Sequence, residues 1–211
     1  MRKKSKLYVT ALVVSIVFIG YTTYSNFIYD PEASRFLSHK TGLKHVSLWL
    51  SIRNVHILAA CAAMIAGLVN FSKRIRQSRP KLHRIIGYGY VAAVAIVDLT
   101  SGYMAPSSTG GKASSIAFNF INLIWLIITV IAVVKIRKKQ VIQHRKWMIR
   151  SYVFVFTNMF IHLITAAFHQ GFGLDYTISY TISVYCSIVL LLALAEVVIR
   201  TRPAVGGSQP L

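Results

Sequence analysis

The chain has few charged residues and very few acids. Of its 211 residues 14% are charged, and only five are aspartate or glutamate against 24 lysines and arginines. A soluble domain carries about a quarter charged residues, so the deficit argues against a soluble protein. So few carboxylates also argue against a paired catalytic acid and base, and no serine or cysteine stands beside a histidine in a nucleophile pattern. These absences favour a protein that is not an enzyme.

Cysteine and proline are scarce in the apolar parts of the chain. Cys61 and Cys186 both lie inside apolar runs, where cysteine behaves as a small buried hydrophobe. Two such cysteines give neither a disulfide framework nor a metal-binding spacing. No proline interrupts the long apolar runs, which argues against the broken helices of many transporters.

Long apolar runs are what the sequence has in abundance, since 55% of the residues are hydrophobic. Six runs reach the about 20 residues that a helix needs to cross a bilayer, and none alternates as a membrane β-barrel strand does. We therefore predict an all-α, polytopic integral membrane protein, a bundle of six transmembrane helices. The predicted helices are Leu7–Ile28, Leu48–Phe71, Ile85–Met104, Ser114–Val134, Trp147–Phe168 and Tyr176–Ile199.

The basic residues predict how this bundle is oriented. The N-terminus, residues 72–84, residues 135–150 and the C-terminus together hold 19 of the 24 lysines and arginines. Such segments remain on the cytoplasmic side, so we expect a cytoplasmic-membrane protein with both termini inside and anionic lipid headgroups as partners. Because the cations are confined to these segments, the net charge of +19 does not indicate a nucleic-acid partner.

The predicted helices divide the chain into four parts. Residues 1–47 form the first helix and an outer loop, and we expect this helix to be retained because no small-residue cleavage site follows it. Residues 48–168 form a four-helix core and residues 169–200 the sixth helix. Residues 201–211 contain proline, glycine and serine, which favours a disordered cytoplasmic tail.

Two of the basic turns lead into a similar motif. "HRIIGYGYV" begins at His83 and "HRKWMIRSY" at His144, so a His-Arg pair opens a helix in each. With "HILAACAAMIAGLVNF" and "NLIW", these motifs resemble the bacterial membrane family known as domain of unknown function 2306. The resemblance covers the second to fifth helices and implies a membrane fold, without an established reaction. The matching signature residues are His56, His83, Arg84, Gly87, Tyr90, Trp125, His144, Arg145, Trp147, Arg150 and Ser151.

Four histidines of the helices form two candidate pairs. His144 and His162 are about five helical turns and about 27 Å apart, on one face of an uninterrupted helix. By depth, His56 pairs with His162 near the outer surface, and His83 pairs with His144 near the inner surface. Two histidine pairs inside a four-helix core are typical of proteins that hold haem b between neutral imidazoles. One hypothesis is therefore a haem b electron carrier, with no other metal indicated.

A second interpretation of these histidines needs no iron. The His-Arg pairs at His83 and His144 stand at headgroup level, where cations contact lipid phosphate. At the position of His162 the resemblance implies an arginine in many relatives, and arginine binds a carboxylate or phosphate rather than iron.

Charged residues inside the predicted helices suggest further partners. A charge in the membrane costs several kcal/mol unless it is paired, so we group Arg53, Asp98 and His56 as an outer polar cluster. On the inner side Glu196 is the only acid. Its candidate partners are Arg84, Arg145 and Arg150.

Three functions follow from these hypotheses. The favoured one is a non-enzymatic membrane protein that binds a lipid or small amphipathic ligand, or that acts as a partner subunit or homo-oligomer. The alternative is the haem b carrier using His56/His162 and His83/His144. A third is a small transporter with a polar path through Arg53, Asp98 and His162.

Overall fold

The structure, a computed structural model, describes residues 6–38, 43 and 45–201. Every regular element in these ranges is helical, and six helical spans are long and apolar enough to cross a membrane. The predicted all-α fold of six helices is confirmed, because each predicted helix lies within one observed span. The spans are Lys6–Tyr29, Val46–Phe71, Pro80–Ser107, Gly111–Arg137, Val141–Gly171 and Tyr176–Thr201.

Several spans combine more than one kind of helix. A turn of π-helix, Tyr24–Tyr29, extends the first span, and a 3₁₀ turn, Ala105–Ser107, ends the third. In the fifth span the 3₁₀ turn Phe154–Phe156 joins two α-helices, and the π-helical turn Ala167–Gly171 closes it. The α-helices are α1 (Lys6–Thr23), α2 (Ser34–Leu37), α3 (Val46–Phe71), α4 (Lys73–Ser78), α5 (Pro80–Met104), α6 (Gly111–Arg137), α7 (Val141–Val153), α8 (Thr157–Ala166) and α9 (Tyr176–Thr201).

The 3₁₀ turn inside the fifth span changes the angular relation between His144 and His162. A 3₁₀ helix advances about 120° per residue and an α-helix about 100°. The three residues Phe154–Phe156 therefore rotate the rest of the span by about 60°. On this ideal geometry we expect the two histidines to be offset by this angle from the common face that an uninterrupted helix predicts.

The core lies between antiparallel helices that are neighbours in the chain. The closest packing joins α3 to α5, α6 to α7 and α8 to α9. Tyr90, Phe154, Ile161 and Leu191 are among its fully buried side chains. The first span covers this core from outside, and the Tyr8 hydroxyl of α1 donates to the Leu68 carbonyl of α3 at 3.4 Å.

The turns define two ends of the bundle. We call the end that holds α4 and the turn at residues 138–140 the basic end. We call the opposite end, with α2 and the segment at residues 172–175, the cavity end. The expected disordered tail lies outside the described residues from residue 202 on, whereas Thr201 ends α9.

Candidate functional site

The cavity end contains a cavity of about 640 Å³, and all six spans contribute residues to its wall. His56 of α3 and His162 of α8, the predicted outer pair, both line it. Polar groups on its wall also come from Arg53, Asn26 and Asn158. Apolar wall residues include Phe18, Ile57, Met64, Phe118 and Val155.

A threonine of the neighbouring helix fixes the orientation of His56. Nδ1 of His56 lies 3.0 Å from Oγ1 of Thr100. The Thr100 hydroxyl donates its single proton to the carbonyl of Ile96 (2.7 Å) or Val97 (3.0 Å) of its own helix. Thr100 therefore accepts from His56, so the neutral imidazole carries its proton on Nδ1. Nε2 of His56 keeps its lone pair.

Arg53 is buried in the cavity wall, with 6% of its surface exposed. Its Nε and Nη2 donate to Oδ1 of Asn54 at 3.2 and 3.0 Å, and Nη2 also approaches the Asn26 carbonyl at 3.4 Å. Arg53 also interacts electrostatically with Asp30. No described residue accepts a hydrogen bond from Nη1 of Arg53. This nitrogen therefore has donors for an acceptor group of a bound ligand.

The outer cluster of Arg53, Asp98 and His56 expected from the sequence does not form among the described residues. Both carboxylate oxygens of Asp98 are buried there without a hydrogen-bond partner. The reason is angular, because residues two apart on a helix point about 200° from each other. Thr100 contacts His56 on α3, so Asp98 is turned away from that helix.

The predicted inner histidines lie at the basic end, each as the fourth residue of its helix. His83 of α5 is close enough to His144 of α7 for electrostatic interaction. His144 donates from Nδ1 to the carbonyl of Ala132 on α6 at 2.8 Å, which ties α7 to the preceding helix.

Asn70 at the end of α3 orients His83. When the amide oxygen of Asn70 accepts from the Gly87 N–H at 2.9 Å, its nitrogen donates to the carbonyl and to Nδ1 of His83, both at 3.2 Å. This amide orientation satisfies every group involved. Because Nδ1 of His83 accepts, the neutral ring carries its proton on Nε2.

The three arginines of the predicted inner cluster have different surroundings. Nε of Arg150 donates to Oε1 of Glu196 at 2.6 Å, which makes an ion pair. The Arg150 guanidinium also lies 4.8 Å from the ring centre of Trp147. Arg84 and Arg145 are exposed at the basic end. Of the three candidate partners of Glu196, Arg150 is the observed one.

A fully buried hydrogen-bond network connects α5, α6 and α7. Thr129 donates to the Trp125 carbonyl at 2.7 Å, so it accepts from the Ser151 hydroxyl at 2.7 Å. Ser151 in turn accepts from the Tyr90 hydroxyl at 2.7 Å and from the Trp125 indole N–H at 3.2 Å. The side chains of Tyr90, Trp125 and Ser151 thus have a structural role here.

Sequence reasoning missed several residues of the cavity wall. Thr100 stands 44 positions from His56, and no local pattern connects them. Asn26 belongs to "YTTYSNFIY", residues 21–29, where polar and aromatic residues end an apolar helix. That change in composition is a signal that would have indicated a polar cavity at this end of the first span.

The fold and the cavity define a class, a polytopic α-helical membrane protein with a polar cavity toward one end of its bundle. Residues 54–199 match the family described as "Predicted membrane protein (DUF2306)", so the chain belongs to that family. The match includes the sixth span, beyond the second to fifth helices that the sequence resemblance covered. No curated protein and no solved structure matches the chain.

Proposed function

We propose that this protein of the cytoplasmic membrane binds a small amphipathic molecule in the cavity on its outer side. Residues 72–84 and 135–150, which form the basic end, hold 13 of the 24 lysines and arginines. Basic segments remain on the cytoplasmic side, so the basic end faces the cytoplasm. The cavity end then opens toward the outer surface of the membrane.

The observation that carries this proposal is the composition of the cavity wall. Its volume of about 640 Å³ lies within the about 300–1,000 Å³ range of small-molecule sites. Such sites combine a mainly apolar wall with a few polar groups that fix the ligand's orientation. Here Arg53 provides donors for an acidic or carbonyl group, and His56 provides an acceptor at Nε2.

Filling the cavity with a bulky side chain tests the proposal. Ala60 lines the cavity, whereas Ala62, two residues further along α3, is exposed on the outside of the bundle. We expect Ala60→Trp to lose the small molecules that co-purify with the wild type, and Ala62→Trp to retain them. The measurement is mass spectrometry of organic extracts from protein purified in polymer nanodiscs. Equal retention by both folded variants would refute binding in this cavity.

A second candidate for the same cavity is haem b held between His56 and His162. The observation that favours it is the hydrogen bond from Nδ1 of His56 to Thr100, because metal-binding histidines characteristically donate their other ring nitrogen to an oxygen. Haem would supply electron transfer, and Arg53 would contribute a charge partner for its carboxylates. At the basic end the fit is poorer, because His83 carries its proton on Nε2.

An absorption spectrum decides between the two candidates. Protein expressed with ample haem shows a Soret band if haem binds, and His162→Ala then abolishes it. His169→Ala is the matched control, since His169 is not among the residues that line the cavity and it donates to the Leu174 carbonyl at 2.7 Å. A colourless, folded preparation removes the haem candidate and leaves the amphipathic ligand.

A further inference from the structure

Four basic side chains come together where the two turns of the basic end meet. Arg76 belongs to α4 and His83 to α5, while His144 and Arg145 belong to α7. Three pairs are close enough for electrostatic interaction, namely Arg76 with Arg145, Arg76 with His83, and His83 with His144. Because the side chains come from both turns, the packing of two helical hairpins creates this group. We call these four residues the basic cluster.

The chain provides no acidic side chain to neutralise the basic cluster. Of the five acids, Asp30, Glu32 and Asp175 lie toward the cavity end, and Asp98 lies inside α5. The fifth, Glu196, is bonded to Arg150. Partial burial and, secondly, the neighbouring Arg145 lower the pKa of Arg76 from its ordinary value. The fold therefore places like charges together without an internal counter-ion.

The hydrogen bonds around the cluster leave donors available. Asn70 donates to Nδ1 of His83, so Nε2 of the neutral ring bears the proton and can donate to an anion. Arg76 and Arg145 are exposed residues, and Arg76 is only partly buried. Arginine's planar set of donors matches phosphate geometry. The Nδ1–H of His144 is not available to an anion, because it donates to the Ala132 carbonyl.

We propose that Arg76, His83 and Arg145 form a binding site for a phosphate group at the basic end of the bundle, with His144 as a positioning residue. The phosphate belongs either to the headgroup of an anionic phospholipid or to a soluble phosphate-bearing solute. Either source supplies the counter-ion that the acids of this chain do not. The site is separate from the cavity, and its existence does not depend on what the cavity binds.

Thermal unfolding of the purified full chain in non-ionic detergent tests this site. The added probes are phosphatidylglycerol, diacylglycerol, which has the same acyl chains without phosphate, and inorganic phosphate. We expect phosphatidylglycerol to raise the midpoint and diacylglycerol to leave it unchanged. Arg76→Gln and Arg145→Gln should each weaken the apparent affinity at least tenfold. Arg74→Gln, an equal charge change at an exposed position of the same helix α4, should change it less than twofold.

The unliganded variants separate a binding role from a structural one. Because Arg76 and Arg145 repel each other, replacing either should leave the midpoint without added probe unchanged or higher. If inorganic phosphate competes with phosphatidylglycerol, the ligand is a soluble phosphate, and if it does not, the ligand is a lipid headgroup. The proposal is overturned if Arg74→Gln weakens binding as much as Arg76→Gln, or if phosphatidylglycerol and diacylglycerol act alike.

Discussion

The histidines at the two ends of the bundle are oriented in opposite ways. At the cavity end His56 donates from Nδ1 to Thr100, which leaves a lone pair on Nε2. At the basic end Nδ1 of His83 accepts from Asn70, which leaves a proton on Nε2. Both lie within the part of the chain that matches the family, yet a single neighbour leaves one with an acceptor at Nε2 and the other with a donor. Whether Nε2 of each histidine can accept or donate therefore depends on the residue of the neighbouring helix that hydrogen bonds to its Nδ1.

The interior of the bundle differs between the two ends as well. Toward the cavity end the helices enclose a space of about 640 Å³. Further along, aromatic rings and the Ser151 network fill the core. Tyr152 lies there between Phe71 and Phe156, with ring centres 5.2 and 5.7 Å away. We interpret the packed part as a rigid platform that keeps the cavity open.

The largest expected effect comes from breaking this packed part at Gly67. A Cβ at Gly67 would overlap the ring of Tyr152. The ring cannot easily move, because its hydroxyl donates to the Met64 carbonyl at 3.1 Å and two aromatic rings flank it. We expect Gly67→Val to lower the free energy of unfolding by about 3 kcal/mol, measured by SDS titration in mixed micelles.

Gly89→Val is the matched control for this substitution. A Cβ at Gly89 meets nothing within 4 Å, and the residue is exposed in the middle of α5. This variant should be as stable as the wild type or slightly more stable, since glycine is a poor helix former. Similar losses at both glycines would contradict a tightly packed contact at Gly67.

Ser151→Ala is expected to have the next largest effect. It leaves two buried donors, the Tyr90 hydroxyl and the Trp125 indole N–H, without their acceptor. Hydrogen bonds between membrane helices contribute about 0.6–1.7 kcal/mol each, so we expect a loss of about 1–3 kcal/mol by the same titration. Ser187→Ala should cost much less, because Ser187 is equally buried and donates only within its own helix, to the Val184 carbonyl at 2.8 Å.

Much of the architecture was predictable from the sequence because it depends on local composition. Hydropathy locates all six spans, since each must be about a bilayer in length. The depth of His56 and His162 follows from their position along those spans, and the structure brings both to one cavity. Glu196 is the only acid expected on the inner side, and its observed partner Arg150 was among the three candidates.

The details of the sites were not predictable, because they depend on rotation about helix axes. The 3₁₀ turn Phe154–Phe156 has no proline or glycine to indicate it. The expected cluster of Arg53, Asp98 and His56 assumed that similar depth means contact, whereas Asp98 faces away from α3. Thr100 and Asn70, which orient the histidines, gave no signal in the sequence because their partners lie on other helices.

Thr100→Val sharpens the contrast between the two histidines. The substitution removes the acceptor of His56 and should cost about 0.5–1.5 kcal/mol. In ¹⁵N spectra of histidine-labelled protein, we expect Nδ1–H for His56 and Nε2–H for His83 in the wild type. The variant should mix the two forms at His56 and leave His83 unchanged. Nε2–H at His56 in the wild type would remove the proposed difference between the two ends.

The smallest expected effect is that of Glu196→Gln, which tests whether the basic end is held by charge or by packing. Side chains of the pair are 22% and 40% exposed, and exposed ion pairs contribute about 0.2–1 kcal/mol. We expect Glu196→Gln to cost an amount in this range and to lose its effect at high salt. Arg150→Gln should cost about 0.5–1 kcal/mol more, because it also removes the guanidinium from the face of Trp147.

Equal losses for the two variants would mean that the stacking contributes nothing. A loss above about 2 kcal/mol for Glu196→Gln would mean that the basic end depends on this charge pair as much as on the buried Ser151 network.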